Sequence, residues 1–141
     1  MLDDYQDLID ELLGTPALVR TLFGNSEGGP PEKVVMAVSA LHERDKIVLD
    51  RLQRLTRESA PPWFKILPGL DQAIAAAPVP TDLDAFLSEL DTARGDLVSL
   101  LMNLALKEWE RIATDDVEGE ISLAEEVERH VEFDEAIRAR I

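Results

Sequence analysis

Apolar residues recur at helical spacing in four stretches of this chain. Tyr5, Leu8, Ile9 and Leu12 begin the first, which is predicted to run from residue 4 to about 23. Gly14, Thr15 and Pro16 interrupt it. Thr15 can cap a new turn with Pro16 at its first position, so the expectation is one kinked helix or two short ones. Val34, Val38, Leu41, Val48, Leu52 and Leu55 form a buried stripe over residues 32–57, the second helix. Leu83, Phe86, Leu87, Leu90, Leu97, Leu101 and Leu104 mark a third, capped by Thr81 or Asp82 and expected to fray beyond Ile112. Gly95 lies inside it at a cost of about 1 kcal/mol relative to alanine, which a closely approaching neighbour would explain. The fourth starts near Ser122, where Ser122 and Glu125 fit a capping box, and continues to the carboxyl terminus.

Between these stretches the breakers cluster. Residues 24–31 read as a polar loop. Residues 59–81, rich in proline and alanine, include a short helical turn around 70–76. That second connection is too long for a tight helical hairpin, whose loops span ~2–8 residues, and it allows the flanking helices to run parallel. No alternating β pattern and no internal repeat is visible. The pattern therefore predicts one all-α domain over residues 1–141, a four-helix bundle with a long crossover between helices 2 and 3.

Composition narrows the function. The chain has 141 residues and no cysteine, which rules out a disulfide framework, a thiolate zinc site and a thiol nucleophile. Lys and Arg number 14 against 29 Asp and Glu, a formal net charge of −15. Such a chain repels phosphate backbones and anionic membrane surfaces, so neither nucleic acid nor membrane is an expected partner. The start is acidic and no run approaches the ~20 apolar residues that span a bilayer, so a cytoplasmic protein is expected.

The chemistry concentrates in few residues. Only two histidines occur. The stripe of the last helix reads Leu123, Val127, His130, Asp134, Ile137, Ile141, so two ionisable residues stand where aliphatic ones belong. Burying them is expensive unless they are paired or bound to a metal. His130 and Asp134, four residues apart, lie within reach of one ion. His42 borders the second stripe, and a bundle can bring it opposite His130. His42, His130 and Asp134 would then form a two-histidine, one-carboxylate site suited to Fe(II), Zn, Mn or Ni. The plainer reading has His130 and Asp134 pairing with each other across one turn. A helical zinc-protease motif is rejected for lack of its glutamate base. A ferritin-like diiron site is set aside, because Ser39 and Val127 stand where its Glu-x-x-His pairs need glutamate.

These residues resemble a known family over nearly the whole length. Leu12-Leu13-Gly14-Thr15-Pro16 and Leu22-Phe23 are similar to a family's first helix. Leu41-His42-Glu43-Arg44-Asp45 followed by Leu49 to Leu52 with Arg51 is similar to its His-x-x-Asp second helix. Glu108-Trp109-Glu110-Arg111, then Val117 to Leu123 with its glycine turn, then His130-x-x-x-Asp134, follow in the family's order. The chain resembles the DinB-like, or YfiT-like, superfamily of metalloenzymes. The resemblance implies up-down-down-up connectivity and three ligands: the histidine of the second helix, matched by His42, and two of the last, matched by His130 and by position 134. Aspartate replaces the family's histidine there, which changes the site or abolishes it.

Two functions follow as expectations. One is a metal-dependent transferase or hydrolase of small molecules, possibly thiol-linked as the resemblance implies, with one divalent ion on His42, His130 and Asp134. Asp45 is then a candidate to orient a ligand, against the plainer reading of a surface carboxylate. The other is a non-enzymatic bundle with a degenerate site, acting as a homodimer or through a partner. Trp63, Phe64 and Ile66 of the crossover would supply a contact, or fold back over the bundle's end.

Overall fold

The computed structural model describes residues 2–25, 28–116 and 119–141. Parts of the expected polar loop (Ser26, Glu27) and glycine turn (Val117, Glu118) lie outside the described residues. The elements run in the order α1 (Leu2–Gly24), α2 (Glu32–Arg57), β1 (Trp63–Phe64), α3 (Leu70–Ala76), α4 (Leu83–Met102), a 3₁₀ turn (Leu106–Glu110), β2 (Ile112–Asp115), β3 (Gly119–Ser122) and α5 (Leu123–Arg138). The four long helices pack together, α1 and α2 each against both α4 and α5. Among the described residues three apolar clusters form, and Ile9, Leu12, Leu52, Leu97, Leu101 and Val127 belong to the first of them. No helix among the described residues is long and apolar enough to cross a membrane.

Local chemistry accounts for the helix ends. The Asp82 side chain accepts from the Ala85 amide at 3.2 Å and starts α4. Ser122 Oγ accepts from the Glu125 amide at 3.1 Å while Glu125 Oε1 accepts from the Ser122 amide at 3.0 Å, the reciprocal box expected for α5. The short turn expected in the crossover is α3.

Four expectations need correction. First, of the two alternatives for α1 the single helix holds, with Pro16 inside it, and Thr15 starts no second helix but is buried in the bundle. Second, α4 stops at Met102, ten residues before Ile112. Third, the segment beyond it forms a three-stranded sheet, order β1-β2-β3, where no strand was expected. Trp63 and Phe64 pair in parallel with Thr114 and Asp115, and β2 pairs antiparallel with β3 from Ile112↔Ser122 to Asp115↔Gly119. These strands are two to four residues long, too short for alternation to register. Gly119 at φ 80° supplies the left-handed conformation of the turn. The sheet closes one end of the bundle. Phe64 folds into the core while Trp63 and Ile66 stay exposed, and buried Trp109 stacks on Tyr5 with ring centroids 4.5 Å apart. Fourth, Gly95 admits no close neighbour: a Cβ there would meet nothing within 4 Å.

Candidate functional site

Four ionisable side chains meet in the middle of the bundle. Each sits in an apolar stripe: Asp45 between Leu41 and Val48 on α2, Arg94 between Leu90 and Leu97 on α4, His130 and Asp134 between Val127 and Ile137 on α5. Asp45, His130 and Asp134 are 0% exposed and Arg94 is 2% exposed. At that depth an uncompensated charge would cost several kcal/mol, so their partners decide what the cluster is.

Arg94 is the hub. Its Nε donates to Asp45 Oδ2 at 3.1 Å, and its Nη2 donates both to Asp45 Oδ1 and to Asp134 Oδ1 at 2.9 Å. Its Nη1 donates to the Leu12 carbonyl at 2.8 Å. That carbonyl is free because the helical partner four residues on is Pro16, which has no N–H. The proline that breaks the α1 ladder thus supplies the acceptor that Arg94 needs. On the far side of Asp134, Oδ2 accepts from Thr15 Oγ1 at 2.8 Å and from Arg138 Nε at 3.0 Å, and Arg138 reaches on to Glu11 at 2.7 Å.

His130 Nε2 lies 2.6 Å from Asp45 Oδ1. Both Asp45 oxygens already accept from Arg94, so the carboxylate is ionised and the imidazole supplies the proton of this bond. Burial alone would raise the Asp45 carboxyl. The His130 hydrogen bond and the Arg94 charge outweigh it and hold the group below the ordinary carboxylate value. Burial likewise works against the Arg94 cation, and its two carboxylate partners overcome it, leaving the guanidinium more basic than usual. Two arginines, Arg94 and Arg138, face Asp45 and Asp134, and Arg138 also pairs with Glu11.

His42 is elsewhere. It is buried at the edge of α2, with Nε2 4.0 Å from Glu89 Oε2 and its ring edge-on to Phe86 at 5.7 Å. Burial, followed by the Lys46 charge, lowers its pKa from the ordinary 6.5. The structure therefore brings His130 and Asp134 into one cluster and leaves His42 out of it. Among the described residues, no group of three or more His, Cys, Asp or Glu side chains is placed to hold a metal ion. Both Asp134 oxygens are committed to Arg94, Arg138 and Thr15, so in this arrangement the set His42, His130, Asp134 does not fit a divalent ion. Among the described residues, the buried Nδ1 atoms of His42 and His130 find no hydrogen-bond partner.

Asp45, expected as a surface carboxylate or a residue orienting a ligand, is not on the surface: it is buried and hydrogen-bonded to His130 and Arg94. Arg94 was not singled out from the sequence at all. Its signal was the one that exposed His130 and Asp134: an ionisable residue in register with a leucine stripe. Thr15 and Arg138 carry no such signal, because their role comes from where Asp134 points.

No family model matches the chain, and no curated protein matches it. Among solved structures, YfiT from Bacillus subtilis superposes with a TM-score of 0.73 at 18% identity, over 100% of this chain and 85% of that one. YfiT is described as a probable metal-dependent hydrolase with an unusual four-helix bundle topology. At this identity the likeness concerns the fold. The chain has a fold like that of YfiT.

Proposed function

We propose that this chain is a non-enzymatic binding bundle whose polar centre is an ion-pair network built on Arg94 instead of a metal site. The observation that carries this reading is the Arg94 guanidinium held between Asp45 and Asp134 and closed by the Leu12 carbonyl. A fixed internal cation does what a metal would do for the carboxylates, and it offers no open coordination position for substrate. The network rigidifies the meeting point of all four long helices, taken here in the up-down-down-up order that the motifs imply. Trp63 and Ile66, 51% and 64% exposed, are where a second copy would be engaged. The dimer contact is tested by sedimentation of Trp63→Ala beside the parent chain.

A second reading follows YfiT and makes this chain a metal-dependent hydrolase on His42, His130 and Asp134. The unpartnered Nδ1 atoms of both histidines favour it. It requires Asp134 to leave Arg94, Arg138 and Thr15 and His42 to turn inward. Elemental analysis of protein purified without chelator decides between the two, repeated after incubation with Zn, Ni, Mn and Fe(II). The first reading expects no stoichiometric metal. One metal per chain, lost in His130→Ala/Asp134→Ala, overturns it.

A further inference from the structure

Arg44 stands out among the cations of this acidic chain. Its guanidinium is partly buried and lies over the Phe133 ring, 4.6 Å from the centroid. Among the described residues it makes no hydrogen bond or ion pair, and its buried Nε has no partner. Other partly or fully buried arginines here are engaged: Arg94 as above, Arg51 on Glu126 Oε1 at 2.9 Å and on the Lys65 carbonyl, Arg129 on Asp115. The Glu126 charge acts on Arg44 from the same cleft without a hydrogen bond, Glu126 Oε1 being taken by Arg51.

Two clefts meet at this residue. One, of about 200 Å³, is polar, and Arg44, Arg51, Lys65 and Arg129 line it against only Asp115 and Glu126. It is a cation-rich spot on a chain of net charge −15. The other, of about 290 Å³, is walled by Ala40, Ala73, Ala77, Leu67 and Phe133, between α2, α3 and α5. Arg44 and Leu67 line both, so the clefts adjoin at these side chains. At about 290 Å³ the apolar cleft alone approaches the lower end of small-molecule sites, roughly 300–1,000 Å³, and the adjoining polar cleft adds a few convergent polar groups. None of these residues belongs to the Arg94 network.

We propose that the adjoining clefts bind a small amphipathic carboxylate, with Arg44 and Lys65 holding the head group and the alanine-lined cleft over Phe133 taking the apolar body. Guanidinium–carboxylate pairing is the strong, geometrically selective contact for such a head group, and Phe133 holds the Arg44 plane in place. The proposal stands apart from the question of metal, because it uses neither histidine nor Asp134.

The test is calorimetric titration of the purified chain with octanoate, alongside acetate, octylamine and octyl phosphate. Octanoate should bind, while acetate lacks the body and octylamine carries the wrong charge. Arg44→Gln should weaken octanoate about tenfold or more, the loss of a charge-assisted contact. Ala76→Trp, an exposed position on the rim of the apolar cleft, should block it with the far-UV spectrum unchanged. The proposal is overturned if octanoate fails to bind, if it binds equally to Arg44→Gln, or if octylamine binds as well. Octyl phosphate binding in place of octanoate overturns the carboxylate assignment.

Discussion

Replacing Arg94 by methionine tests the central network most directly. Methionine fills much of the volume but removes four hydrogen bonds: two to Asp45, one to Asp134 and one to the Leu12 carbonyl. Asp134 keeps Thr15 and Arg138, whereas Asp45 keeps only His130. Breaking a buried pair from one side costs about 3–5 kcal/mol, a large part of the ~5–15 kcal/mol that holds a domain folded. With a urea slope near ~2 kcal/mol per molar, the unfolding midpoint should fall by about 1.5–2.5 M.

A pH arm makes this specific. In the parent chain the Asp45 carboxyl is held below its ordinary 3.8. The unfolded chain therefore takes up that proton first, and the stability Asp45 contributes is lost only as the pH falls through the folded value. Without Arg94, burial dominates and pushes the carboxyl above 3.8, so the folded variant takes up the proton first and gains stability as the pH falls. The two chains should converge between pH 7 and about pH 4–5. Adding Asp45→Asn and Asp134→Asn to Arg94→Met should recover most of the loss at pH 7, since the whole network can be exchanged for neutral groups at little cost. Circular dichroism in urea at both pH values measures all of this. A loss below about 1 kcal/mol for Arg94→Met, or a gap that does not narrow with acid, refutes the assignment of Arg94 as the balancing cation.

Gly95→Ala should stabilise the chain by up to about 1 kcal/mol, seen as a higher urea midpoint, because the position is an exposed helix interior with open space for the methyl. Ser122→Ala should cost about 1 kcal/mol in the same assay by leaving the Glu125 amide without its cap. His42, with its pKa lowered by burial, makes the unfolded chain the better proton acceptor below its ordinary 6.5. Stability should therefore fall from pH 6.5 towards the lower folded value, and His42→Gln should flatten that slope; an unchanged slope would place the titration on another group.

The four long helices were legible in the sequence because helix formation is read from local periodicity, and Asp82, Ser122 and Glu125 advertise their starts within four residues. Ionisable residues in apolar stripes were legible too: His130 and Asp134 in the fourth stripe, and by the same rule Arg94 in the third and Asp45 in the second. The short strands around Ala113 and Ile121 were not, since they have too few residues to show a period, and β2 also pairs with β1 some fifty residues earlier. What the stripes hold in common was also beyond the sequence. A stripe states that a charge is buried, but its partner lies across the bundle on another helix. Only the packing of α1, α2, α4 and α5 settles that Asp134 meets Arg94, that Pro16 frees the carbonyl Arg94 needs, and that His42 faces Glu89. Secondary structure is a property of neighbours in the chain; a charge network is a property of neighbours in space.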